Sequence, residues 1–165
     1  MSTPLIARLV AAMVDFSQGN LHDITHFTKV WGLARIIGEL ERLDHDEQLV
    51  LEAAAIVHDI ACPLCRAKYG RADGHLQETE GGPLATQFLQ GSGLSDSQIA
   101  RVAFLVGHHH TLRDIQGRDY QILVEADYLV NAEESHYPPE NLANARDRLF
   151  RTAAGTALLQ SMFLR

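Results

Sequence analysis

Apolar residues recur along this chain every three to four positions and hardly anywhere in strict alternation. That spacing predicts amphipathic helices and no convincing strand. Residues 4–17 read as a first helix, closed by Gly19-Asn20. Asp23 then caps a long helix to about Arg42, in which His26, Val30, Leu33, Ile37 and Leu40 share one stripe. A helix from about Asp46 to Ile60 repeats the spacing with Leu49, Ala53, Ile56 and Ile60, and ends abruptly in His58-Asp59. Residues 61–76 read as an irregular loop. The next helix opens at Gln77-Glu78-Thr79-Glu80 and closes at Gly91-Ser92-Gly93. Ser95 or Asp96 caps a further helix with Val102, Leu105, Val106 and His109 on one face, which runs into His108-His109-His110. After a polar turn over 113–118, residues 120–133 place Leu123, Ala126 and Val130 on one face with Asp127 among them. Pro138-Pro139 breaks the chain before two closing helices, at about 140–151 and 154–164. The expectation is an all-α, single compact domain over residues 1–165, with seven or eight helices.

Composition narrows the partners. A chain of 165 residues has single-domain length, enough to bury roughly 70% of its unfolded surface. A net charge of −7 argues against a nucleic-acid backbone or an anionic membrane as main partner. A small phosphate ester remains open, because local Lys and Arg can oppose the global sign. No run approaches the roughly 18 apolar residues of a membrane span. Met1-Ser2-Thr3-Pro4 leads into an amphipathic segment with Arg8 and Asp15 rather than a signal peptide, so cytoplasmic residence is expected. Cys62-Pro63-Leu64-Cys65 lacks the second pair a four-thiolate zinc site needs, and reads as two free thiols.

Four polar groups interrupt otherwise apolar helical faces: His26, His58, Asp59 and Asp127, on three separate helices. Imidazoles and carboxylates are costly to desolvate unless something pairs with them. Taken singly, each has a plain explanation: an inward His is usually a satisfied core residue, and His-Asp can fall at a fraying helix end. Taken together, a divalent metal is the partner that suits them. Two imidazoles and two carboxylates fit Mn, Fe, Co, Ni or Zn better than Ca or Mg. The basic loop with Arg66, Lys68 and Arg71 leaves directly from His58-Asp59, which makes it a candidate substrate-facing segment. Glu78 and Glu80 sit in a first turn, where the helix dipole alone would explain them.

The order His26, His58-Asp59, Asp127 on a helical chain resembles the HD superfamily of metal-dependent phosphohydrolases. His26-Phe27-Thr28-Lys29-Val30 is similar to that family's His-x-x-(Arg/Lys)-Val helix, and Ala54-Ala55-Ile56-Val57-His58-Asp59-Ile60 to its apolar-His-Asp-Ile stretch. The resemblance spans residues 23–131, about two-thirds of the chain. It implies that His26, His58, Asp59 and Asp127 ligate a divalent transition metal, and that Lys29 meets a substrate phosphate. Some members hold a second ion through a His in His-x-x-x-Gly and a His-His pair before Thr. His108-His109-His110-Thr111 resembles the latter, but Gln77 stands where the former has its His. A second ion would then be ligated by His108 and His109, with Glu78 or Glu80 standing in; His110 leans toward the loop. The expected picture is one tight site and at most one looser one.

The resulting expectation is hydrolysis of a small phosphate ester, most often a nucleotide in this family. Asp59 both holds the metal and orients the attacking water, Glu78 or Glu80 is the second acid/base group, and Lys29, Lys68 and Arg66 clamp phosphate. Two rival readings are a di-iron oxygenase on the same scaffold and a non-catalytic nucleotide-binding module. Oligomeric state is open between monomer and homodimer.

Overall fold

The computed structural model describes residues 4–165. Met1–Thr3, which the sequence places ahead of the first helix, lie outside the described residues. The described residues fold into nine helices with no strand. They are α1 (Leu5–Phe16), α2 (Leu21–Leu40), α3 (His45–Val57), α4 (Cys62–Tyr69), α5 (Gly74–Leu89), α6 (Asp96–Val106), α7 (Arg118–Glu134), α8 (Pro139–Arg148) and α9 (Ala153–Phe163).

Caps set most of the boundaries. Asn20, three residues before Asp23, accepts the backbone N–H of Asp23, so α2 begins one turn earlier than an Asp23 cap would put it. Asp44 and Glu47 form a capping box ahead of α3, and Ser95 and Gln98 form another ahead of α6. The segment expected to be irregular holds α4, with Pro63 in its first turn and Gly70 at φ +71° closing it in the left-handed region. Asp73 accepts from the N–H of Leu76 and starts α5 at Gly74. Glu78 and Glu80 therefore lie beyond the first turn, where the dipole accounts for little of their placement.

The middle of the molecule is α3. Its residues Val50 to Val57 are buried without a break, and α1, α2, α6 and α7 pack around it. Burial on every side explains why this helix is apolar all round rather than amphipathic. His45–Tyr69 is long and apolar enough to span a membrane by composition, with mean hydropathy 1.4, although the sequence reading found no such run. Yet 72% of that window is buried inside the fold, which makes it the core. The buried Glu52 is held by Trp31 Nε1 and Gln48 Nε2, each donating at 2.9 Å. Two glycines let α5 approach α6 closely: a Cβ on Gly81 would meet Val106 Cγ1 at 2.8 Å, and one on Gly82 would meet the Ala103 carbonyl oxygen at 3.1 Å. That close packing sets the C-terminal end of α6 against the end of α3, where the histidines gather.

Candidate metal centre

α7 carries three buried carboxylates, and their partners differ. Asp119 takes both Nε and Nη2 of Arg101, at 2.9 and 2.7 Å. Glu125 accepts from the backbone N–H of Arg151 at 2.7 Å and Thr152 at 3.0 Å, which staples α7 to the start of α9. Asp127 faces histidines instead. Its Oδ1 lies 3.3 Å from His26 Nε2 and 3.5 Å from His58 Nε2. Asp59 Oδ2 lies 3.3 and 3.5 Å from the same two nitrogens, while its Oδ1 lies 3.4 Å from His109 Nε2. The four sequence-predicted residues thus meet at one point, joined by His109 from just beyond α6.

Each imidazole is held by its other nitrogen. His58 follows the last residue of α3 and hooks back through Nδ1 to the Ala55 carbonyl at 2.8 Å. His109 does the same after α6, to Val106 O at 2.9 Å. His26 Nδ1 bonds Glu134 Oε2 at 2.8 Å, and Glu134 also takes Lys29 Nζ at 2.8 Å. Burial pushes the Glu134 carboxyl up, but Lys29 and His26 outweigh it and hold it below the usual range. Carbonyls and a carboxylate only accept, so all three Nδ1 atoms carry hydrogen. Once neutral, the rings present three Nε2 lone pairs, and two carboxylates join them. The Nε2 atoms of His26 and His58 are only 3.2 Å apart, and His109 Nε2 is buried without a hydrogen bond. The two imidazoles, an Asp59 oxygen and Asp127 Oδ1 gather closely, His109 Nε2 stands alongside on the second Asp59 oxygen, and none of the five is a donor once the rings are neutral. A cation is what such a set requires, and its mixed N/O chemistry fits a divalent transition metal.

Protons answer the same demand. Burial lowers the basicity of His26, yet the hydrogen bond to Asp127 and the charge of Asp59 outweigh it and raise its pKa from 6.5 to about 9. His58 is raised too: burial opposes, and Asp59 and Asp127 prevail. Conversely, burial pushes both carboxyls up, while His58 and His109 hold Asp59, and His26 and His58 hold Asp127, well below the usual range.

The chain matches the HD domain family over residues 22–140, well over half its length. The chain belongs to the HD domain family. Comparisons with curated proteins and with solved structures gave no significant match. Membership agrees with the resemblance read from the motifs; the HD superfamily is one of metal-dependent phosphohydrolases, and its domains bind divalent metals.

Around a second possible ion position the expected residues rearrange. Asp59, His109 and His110 offer ligand atoms within 4.8 Å of one another. His108 instead bonds Phe104 O at 2.7 Å and stacks on the Phe104 ring. Gln77 accepts a hydrogen bond from His110 Nε2 at 3.0 Å, with its own amide donating to Ala72 O. Burial first, and then His109, lowers the His110 pKa to about 4, so this ring is neutral. Glu78 accepts from the Thr111 hydroxyl at 2.9 Å and from the His110 N–H at 3.0 Å; Glu80 accepts from Lys68 and Tyr69. Neither glutamate reaches the cluster. The cations expected to clamp phosphate are all engaged: Lys29 with Glu133 and Glu134, Lys68 with Glu80, and Arg66 with Asp23. Of these, Arg66 is the one whose guanidinium feels the charge of Asp59.

The sequence reading missed Glu134 and Asn131. Asn131 Nδ2 donates to Asp127 Oδ1 at 2.9 Å. Both residues follow Asp127 on α7, at i+4 and i+7, and that spacing is the signal that would have found them.

Proposed function

We propose that this HD domain hydrolyses a small phosphate ester, with nucleotides as the substrate class. The observation that carries the reading is the gathering of the His26 and His58 Nε2 atoms with the Asp59 and Asp127 carboxylates, each carboxylate within 3.5 Å of both imidazoles. A divalent ion held there supplies the Lewis-acid chemistry of hydrolysis, lowering the pKa of a water and polarising a phosphoryl oxygen. His26, His58, Asp59 and Asp127 are the residues to hold it. Asp59 is the most open of the four, with its side chain 26% exposed against 10% or less for the others. The attacking water therefore approaches on the Asp59 side. There Asp59 orients the water so that its proton can leave, and Arg66 swings from Asp23 to steady the phosphoryl oxygens.

The group Asp59, His109 and His110 favours a second reading, since a di-iron oxygenase needs two ion positions. Reconstituting the chain with Mn, Fe, Co, Ni or Zn and screening phosphate esters for released phosphate separates the two. Metal-dependent release, lost in a folded Asp59→Ala protein together with tight metal binding, is the expected result. Full metal occupancy in Asp59→Ala, or oxygen consumption with two irons and no phosphate release, overturns the reading.

A further inference from the structure

Two adjoining cavities lead away from the metal cluster. The inner one, about 200 Å³, is bounded by His109, His110, Asp127 and Asn131. The outer one, about 500 Å³, is bounded by Asn141, Asn144 and Arg148 of α8. Both share Leu112, Tyr128, Tyr137 and Leu149, so they form one cleft. Its size is that of a small-molecule site. The rings of Tyr128 and Tyr137 stand edge to face, 5.4 Å apart, at the join.

Asn141, Asn144 and Arg148 fall at i, i+3 and i+7, one face of α8. Arg148 is the only Lys or Arg lining either lobe, and no carboxylate lines the outer one. Neighbouring Asp147 is hydrogen-bonded by Arg146, at 2.8 and 3.3 Å, and feels Arg148 only through its charge. Among the described residues the Arg148 guanidinium has neither an ion pair nor a hydrogen bond, unlike Lys29, Arg66 and Lys68. An uncommitted guanidinium in a cleft of an acidic protein is a ready partner for phosphate or carboxylate. It borders the outer lobe and not the inner one, so the anion it meets is not the group at the metal. α8 also lies beyond Glu140, the last residue of the family match, apart from its first two positions.

We infer that Arg148 selects substrates carrying a second anionic group, held in the outer lobe while the scissile phosphoryl sits at the metal cluster. The inference rests on the phosphohydrolase reading and narrows its substrate to phosphate esters with a distal phosphate or carboxylate. The tyrosines line the path of the portion that connects the two anions.

Alkylphosphonates test this without turnover, because their C–P bonds resist hydrolysis. Calorimetry on the metal-loaded full chain compares straight-chain α,ω-bisphosphonates of increasing length with the matching monophosphonates. At one length, wild type binds the bisphosphonate more tightly, on the order of tenfold. In Arg148→Gln that ratio falls toward one, and Arg148→Lys, which keeps the charge, restores part of it. A loss of α8 stability alone would not change the ratio, and thermal melting identifies any variant that fails to fold. No preference at any length in wild type, or a preference that survives in Arg148→Gln, overturns the inference. An Arg148-dependent preference in a protein that hydrolyses no ester retains the anion subsite and removes the phosphohydrolase reading. Ester hydrolysis without the preference does the reverse.

Discussion

Glu134 grips the back of His26, its Oε2 2.8 Å from Nδ1, and so aims Nε2 at the two aspartates. A carboxylate behind an imidazole fixes the tautomer and raises its basicity as a ligand. Glu134→Ala should weaken divalent-metal affinity roughly 10–100-fold while the fold persists. Glu134→Gln, which keeps an acceptor oxygen, should lose less. Competition against a chelator measures both; equal affinity in wild type and Glu134→Ala would remove Glu134 from the site.

The pH dependence follows from His26. Its pKa rises from 6.5 to about 9 on folding, so the stabilisation it lends the metal-free protein is complete below about 6.5 and is lost as pH climbs through about 9. A metal must displace that proton. Affinity should therefore increase with pH and level off above about 9, and binding near neutral pH should release protons. Calorimetry in buffers of different ionisation enthalpy counts them. A flat affinity across that range would exclude the assignment.

His110, not His108, should govern any second ion. His110→Ala should abolish a second, looser binding event while the first persists. His108→Ala should leave both in place, because that ring is committed to Phe104. Metal titration with each variant decides between them, and loss of the second event in His108→Ala alone would contradict the placement.

The cysteines should be quiet. Burial, with Asp59 and Asp23, pushes the Cys62 thiol far up, and burial with Glu80 and Asp73 raises Cys65. In the native protein both should react with a disulfide reagent slower than free cysteine, on the order of tenfold or more. Both should titrate once the chain is denatured. A fast native thiol would place one of them outside the core.

The sequence made the centre legible because helical periodicity holds through His26 and Asp127, whose inward faces it identifies. In the histidine run it identified His109 as inward but not the turn of His108 onto Phe104, because α6 ends at Val106 and a 3.6-residue repeat says nothing about direction once the chain leaves the helix. α4 was hidden by its charged composition, although Pro63 and Gly70 mark its ends. Glu134 follows Glu133 in an acidic stretch with no apolar stripe to mark it; only its two-turn offset from Asp127 joins them. The cleft pairs α7 with α8, and no local pattern reports that meeting.

α7 presents Asp127 to the histidines, Asn131 and Tyr128 to the cleft, and Glu134 to His26, all within two turns. A substitution of Asp127 or Asn131 that reshapes the cleft also disturbs the cluster. α8 carries no such burden, since Asn141, Asn144 and Arg148 touch no member of the cluster. If Arg148 selects the substrate as inferred, preference can be rewritten on α8 at little risk to the cluster, which makes that helix the natural handle for redesign.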